Sequence, residues 1–508
     1  MFSDARDLSD GELLSADVCI VGAGAAGITI ARDLIGSGLR VILLESGGDE
    51  REAETQALYR GDSTGLFGSA LSFCRLRLYG GSTNHWAGWC QPIESDVFEA
   101  REGIDKGWPI GRDELLPWYH KAHDTCGLGA FEYEADPVAR RAKKSVLAVD
   151  ASRVSQVLYQ YSEPRRFGSH YREALEDASD LAVYLYANLV DIQMTESGDA
   201  VQRVNCATLE GTRFGVVAGR FVLALGGIEN ARMLLASRSQ DPKGVGNGQD
   251  LVGRCFMEHP HFYNAAGIAV RSDLDMSFFT RRHQAETVDE LHPEGIRTRL
   301  MAALTIAPGL CTREGLVKST FQVVSLSEED ARRHAEAAGA DRIGALIRGA
   351  GSQDIALYNV NIRAEQRPVR DSRVTLDDSD EDALGVSRAV LHWKVAEEDL
   401  ADIRRSLELL AAEFGRSGIG RLWMPADDRN HALYPVDRIR EGCHHMGTTR
   451  MADSSGEGVV DKDCRVHGLA NLYIAGSSVF PAAGSANPTL TIVALAHRLA
   501  DKLRESAS

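Results

Sequence analysis

Near the C-terminus the chain reads GCHHMGTTRM, Gly442 to Met451. A histidine pair between a cysteine and a glycine turn can hold a metal, fill a core or move a proton. The pattern argues against a metal, because adjacent side chains diverge and neither an H-x-x-x-H spacing nor a nearby Asp/Glu set completes a ligand shell. An imidazole titrates near neutrality and is suited to take or give a proton. A second polar cluster, GGSTNHWA, runs from Gly80 to Ala87 and carries His85. A third, SANPT, runs from Ser485 to Thr489. Its Asn487, followed by Pro488, reads as a helix N-cap with proline at the first helical position.

These residues need elements to position them. In ADVCIVGAGAAGITIARDLIGSGLRVILLESG, Ala16 to Gly47, an apolar run from Val18 to Val21 ends in Gly22-x-Gly24-x-x-Gly27. A helical stretch and a second apolar run, Val41 to Leu44, follow and close on Glu45. Strand, glycine turn, helix and strand form the dinucleotide-binding βαβ unit. Gly22, Gly24, Ala25, Ala26 and Gly27 let the backbone approach a pyrophosphate at a helix N-terminus, and Glu45, 18 residues past Gly27, can accept both ribose hydroxyls. An acid there repels a 2′-phosphate, which leaves FAD or NAD. Two further stretches, Gly219 to Ser237 and Leu469 to Leu503, each run strand, small residues and helix, so they return the chain to the same sheet.

The expected architecture is therefore α/β, with a discontinuous Rossmann-type nucleotide domain over 1–100, 181–258 and 440–508. The insertions 101–180 and 259–439 are left to build an α+β substrate domain. Within them HFYNAAGIAV, VKSTFQVVSL, IALYNVNIRAE and AVLHWKV are β-rich runs that predict an antiparallel sheet. The segment 327–349 reads as a charged surface helix pair.

Composition excludes several classes. A net charge of -17 with no long basic run argues against nucleic acid. No stretch reaches the roughly 18 apolar residues of a membrane helix, and the acidic start does not resemble a signal peptide. Nine scattered cysteines without a C-x-x-C pair read as free thiols in a reducing compartment, so a cytoplasmic location is expected, with export alongside a partner subunit left open. No second GxGxxG unit for NAD and no C-x4-C redox pair is present.

Four motifs together resemble the glucose-methanol-choline (GMC) oxidoreductase family of FAD-dependent alcohol-oxidising enzymes: GAGAAG with Glu45, YGGSTNHWAG at Tyr79 to Gly88, CHHMGTTRM, and SSVFPAAGSANPTLT at Ser477 to Thr491. Within the family they are most similar to pyranose oxidases and the related bacterial sugar and glycoside oxidases and dehydrogenases. The resemblance implies FAD held by the glycine turn and by Ser82, Asn84, His85, Trp86, Ala87, Val190, Gly476, Ser477, Asn487, Pro488 and Thr489. Its H-x-x-G-T-x-x-M register places His444 at the catalytic base and leaves His445 as a packed histidine. Asn487 would orient the alcohol, and Arg363 and Gln366, in NIRAEQRPVRDSRVTL, would bind sugar hydroxyls. His85 stands where pyranose oxidases join histidine covalently to the flavin, whereas related bacterial enzymes hold FAD without the bond. Those oxidases carry a threonine two residues later, where this chain has Ala87, so oxygen is in doubt as the acceptor and a quinone or a redox protein stands beside it. The implied reaction is oxidation of a secondary ring hydroxyl, at C2 or C3 of a sugar or glycoside, to a ketone. Alternatives are a sterol or aryl alcohol substrate, or a flavin subunit that feeds a partner cytochrome.

Overall fold

The structure, a computed structural model, describes residues 1–161, 165–280, 285–288, 297–326, 355–423 and 436–505. The first sheet places strands in the order Phe2–Asp4, Leu181–Leu185, Val41–Leu44, Glu12–Val21, Arg213–Leu223, Val201–Ala207 and Asn188–Met194, with Leu472–Ile474 also paired to Arg213–Leu223. The first five and Leu472–Ile474 run parallel, whereas the last two form an antiparallel extension. The central strands are unbroken apolar runs because helices cover both faces of a parallel sheet; all four residues of Val41–Leu44 are buried.

Register explains where the site falls. Val21 pairs with both Leu44 and Leu223, and Leu223 pairs with Ile474. The carboxyl ends of four strands therefore lie level, and the turns that leave them open on one edge, where ligands bind in sheets of this kind. Helices Ala25–Leu34, Gly226–Ala236 and Thr489–Glu505 begin at that edge.

The second sheet is antiparallel, in the order Gly420–Trp423, His261–Arg271, Ile355–Ala364, Ser319–Ser325, Arg297–Ile306, Val154–Tyr161 and Trp89–Cys90, with Ala285–Val288 paired to Arg297–Ile306. Strand alternation gives it two unlike faces. Phe262, Phe321 and Ile362 enter the main core, whereas Tyr159, Tyr161, Met301 and Ala303 form a small separate cluster with Trp89. Arg363 shares that second face, directly opposite His261 and Thr320.

Several expectations need correction. Ser387–Trp393, which contains most of AVLHWKV, does not join this sheet; it pairs with Arg373–Glu381 and with Asp62–Gly65 in a separate three-stranded sheet. From 101–180 only Val154–Tyr161 enters the second sheet, while Arg112–Cys126 packs on Thr489–Glu505 and Phe167–Glu176 packs on Ala25–Leu34. The cysteines are not all free: Cys74 and Cys443 form a disulfide and the other seven are buried thiols. A pair 369 positions apart leaves no spacing signal, and its presence removes the cysteine argument for a reducing compartment. No helix among the described residues is long and apolar enough to cross a membrane. The segment 327–349 lies outside the described residues.

Candidate active site

A cavity of about 690 Å³ opens at the level strand ends and is lined by all the returning turns. Its nucleotide end is made of backbone. Gly22 has a φ of +103°, and a Cβ there would come within 2.6 Å of the Ala224 carbonyl oxygen. A Cβ on Gly27 would come within 1.9 Å of the Gly22 carbonyl oxygen, so this glycine fixes how closely helix meets strand without lining the cavity. Gly24 differs: a Cβ there meets no protein atom within 4 Å, because that side of the turn faces the cavity. Open backbone at the N-terminus of Ala25–Leu34 fits a pyrophosphate. Glu45 stands beside it, buried, and accepts from the Ala23 and Gly47 amides at 2.9 Å each. Burial pushes its carboxyl up to about 7 against those two bonds.

Next along the cavity, a 3-10 turn, Gly81–Asn84, stacks on the glycine turn; a Cβ on Gly81 would lie 3.0 Å from Gly24 Cα. Ser82, His85, Trp86 and Ala87 line the cavity, while Asn84 instead donates to the Tyr79 and Gly81 carbonyls and ties the turn. The Trp86 indole is anchored through Nε1 on the Arg165 carbonyl at 2.9 Å. Gly476, Ser477, Pro488 and Thr489 also line the cavity. Val190 does not: Ala187 and Leu189 line it, and a register shift between Leu189 and Asp191 breaks the alternation there.

The far end is made of side chains. Glu258 accepts from the His444 amide with both oxygens, at 2.8 and 2.9 Å, and so seats the loop that carries it. His444 Nε2 lies 3.3 Å from Asn487 Nδ2, and His444 Nδ1 lies 2.9 Å from His259 Nδ1. Asn487 Oδ1 accepts from Arg363 Nη1, so its oxygen serves this cluster rather than a helix cap. Burial, then the charges of His259 and Arg363, hold His444 well below 6.5. Burial pushes Glu258 up to about 8 and His259 down to about 3.

His445 also lines the cavity, but its ring packs 5.8 Å from that of Phe67 and 5.7 Å from that of Phe256, its Nε2 lies 3.9 Å from Glu258, and burial drives it to about 3. Gln366 is not in the site. It is 1% exposed, its oxygen accepts from Trp393 Nε1 and the Glu258 amide, and its nitrogen donates to the Lys394 carbonyl. Sequence reasoning missed Glu258 and His259, although MEHPH was a visible polar cluster ahead of a β-run. It also missed Arg75, Arg77 and Glu229, which line the cavity and pair inside it at 2.8 and 2.9 Å.

A dinucleotide cradle at one end of a cavity and a histidine–asparagine pair at the other define an FAD-dependent oxidoreductase. Residues 17–244 match the FAD dependent oxidoreductase model and 368–496 match the C-terminal GMC oxidoreductase model. The chain thus carries a GMC oxidoreductase C-terminal domain together with an FAD oxidoreductase domain. It is 25% identical to the fructose dehydrogenase large subunit of Gluconobacter japonicus, over 97% of this chain and 98% of that protein. A C-glycoside 3-oxidase of Microbacterium trichothecenolyticum is 37% identical over 25% of this chain and 23% of its own length. Among solved structures, a formate oxidase from Aspergillus oryzae RIB40 shares the fold, with a TM-score of 0.59 and 17% identity over 98% of this chain and 99% of that one.

Proposed function

We propose that the protein oxidises a secondary ring hydroxyl, at C2 or C3 of a sugar or glycoside, to a ketone. The observation that carries this reading is the placement of His444 and Asn487 within 3.3 Å of each other on the wall of the FAD cavity. His444 Nε2 takes the hydroxyl proton, leaving the electron pair on oxygen. Asn487 Nδ2, which points at the same spot, holds that oxygen in place. When bound, FAD supplies the acceptor for the hydride that leaves the carbinol carbon. Arg363, two bonds from His444 through Asn487, adds positive charge where negative charge develops on oxygen, an arrangement that lowers the cost of deprotonation. Relatives named as fructose dehydrogenase, paromamine 6'-oxidase and C-glycoside 3-oxidase support a carbohydrate substrate.

Anaerobic mixing with free sugars and O- and C-glycosides, followed at the flavin band near 450 nm, tests the reading: at least one should bleach it, and bleaching only by sterols or aryl alcohols would contradict it. His85 is the residue for a covalent link, since its ring lines the cavity one turn from the glycine cradle. Acid-precipitated protein should stay yellow in the wild type and lose its colour in His85→Ala; colour wholly in the wild-type supernatant removes the link. Ala87 offers no hydroxyl to oxygen, which supports a quinone or a redox protein as the faster acceptor.

A further inference from the structure

The hydrogen bonds around His444 join four side chains into one chain whose two ends have fixed polarity. At one end stands Arg363, 5% exposed, with no ion-pair partner among the described residues. A guanidinium only donates. The Asn487 atom that meets its Nη1 is therefore the amide oxygen, which turns Nδ2 toward His444 Nε2. At the other end the Gly484 carbonyl only accepts, and His259 Nε2 lies 2.9 Å from it. That nitrogen carries the hydrogen, so a neutral His259 has a bare Nδ1. The bare nitrogen faces His444 Nδ1 at 2.9 Å, which must then carry its own hydrogen.

Both ends give the same answer independently. From the His259 side, His444 bears its hydrogen on Nδ1; from the Arg363 side, its Nε2 must offer a lone pair to an N–H. Tautomers and amide orientations are ordinarily matters of assignment, but here a donor-only and an acceptor-only group leave one consistent set. Burial keeps both histidines neutral at pH 7, as this accounting requires.

We propose that His259 and Arg363 are positioning residues that set the direction of this chain, so that resting His444 presents a lone pair on Nε2 to the substrate hydroxyl. The inference rests on reading His444 as the base. When the O–H bond breaks and an N–H bond forms at Nε2, the electron pair stays on oxygen and His444 becomes a cation with a hydrogen on each nitrogen. Asn487 cannot turn its oxygen toward the new N–H, because Arg363 holds it. The new Nε2–H therefore finds no acceptor in Asn487 and keeps facing the cavity, while the Nδ1–H stays on His259.

The test is a multiple-bond 15N–1H correlation spectrum of holoenzyme labelled with 15N-histidine, with His444 identified by its loss in His444→Gln. The wild type at pH 7.5 should show a pyrrole-type Nδ1 and a pyridine-type Nε2. His259→Leu removes the acceptor and should convert His444 to a tautomer mixture, with substrate reduction of the flavin slowed about tenfold, part of what a positioned base contributes. His259→Gln, whose oxygen can accept while its nitrogen donates to Gly484, should restore both signals and rate. A wild-type hydrogen on Nε2, or an unchanged tautomer and rate in His259→Leu, overturns the proposal. If His259→Leu does not fold, Arg363→Met, which frees the Asn487 amide to turn, carries the same two readouts. Should no alcohol bleach the flavin, the functional reading falls, and the tautomer is still decided by the spectrum.

Discussion

The two ends of the cavity are built in opposite ways. The nucleotide end is one contiguous stretch, 22–47, in which backbone and missing side chains make the shape. The proposed catalytic end sets His444 and Asn487 on the cavity wall with His259 and Arg363 bonded to them from behind, side chains that only the second sheet and the returning loops bring together. A site made of backbone is written in local spacing. A site made of side chains depends on the whole fold, and each of its members has a separate chemical duty.

The sharpest break of that contrast is made within two neighbouring residues. His444→Ala should keep FAD yet lose about 10² to 10⁴ in flavin reduction by substrate, the usual worth of a positioned base. His445→Ala, which removes a ring packed between Phe67 and Phe256, should cost less than about tenfold by the same measurement. Equal losses in stopped-flow traces would show that the catalytic end does not separate the two histidines.

At the nucleotide end the corresponding pair is Gly27 and Gly24. Gly27→Ala forces a Cβ against the Gly22 carbonyl and should destabilise the apoprotein by about 1–3 kcal/mol, as overpacking does. Gly24→Ala has room in the protein and should leave apoprotein unfolding within about 0.5 kcal/mol of wild type. Its methyl enters the space read here for the pyrophosphate, so FAD affinity should fall at least about tenfold, or 1.4 kcal/mol. Thermal unfolding of apoprotein together with FAD titration separates the two effects; unchanged affinity in Gly24→Ala would move the cofactor out of the cradle.

A smaller effect is expected in pH dependence. His444 is faced by Arg363, His259, His261 and His445 and by the Glu258 carboxyl group below its amide, which burial raises to about 8. Burial and the Arg363 charge disfavour its cationic form, so the acid limb of flavin reduction should lie below pH 6.5 in the wild type. Removing the cation in Arg363→Met should raise the histidine pKa and move that limb to higher pH. A shift to lower pH, or none, would mean that Arg363 does not act on His444 electrostatically.

The same contrast governs how much was legible in the sequence. The βαβ unit, the two later returns to the first sheet and the glycine roles followed from spacing, because each depends on neighbours within about 30 positions. His444 and Asn487 could be singled out through motif resemblance, but their juxtaposition could not. Val190 was misplaced by one residue at a bulge, where one slip exchanges the two faces of a strand. Gln366 lies beyond Ala364, the last residue of its strand, so the alternation that serves Arg363 no longer applies to it. The Cys74–Cys443 pair had no local signal, and the MEHPH cluster showed a polar patch at His259 but not its partner, since each acquires its partner only in the folded chain.

The central claim is that the proposed catalytic end removes a proton from one secondary ring hydroxyl while a hydride leaves the carbon that bears it. A single anaerobic turnover with the sugar or glycoside that bleaches the flavin fastest, with the product identified by 13C NMR, tests it most directly. The account predicts one ketone per FAD reduced, at C2 or C3 of the ring. An aldehyde or acid from a primary hydroxyl, or a lactone from the anomeric carbon, would contradict it.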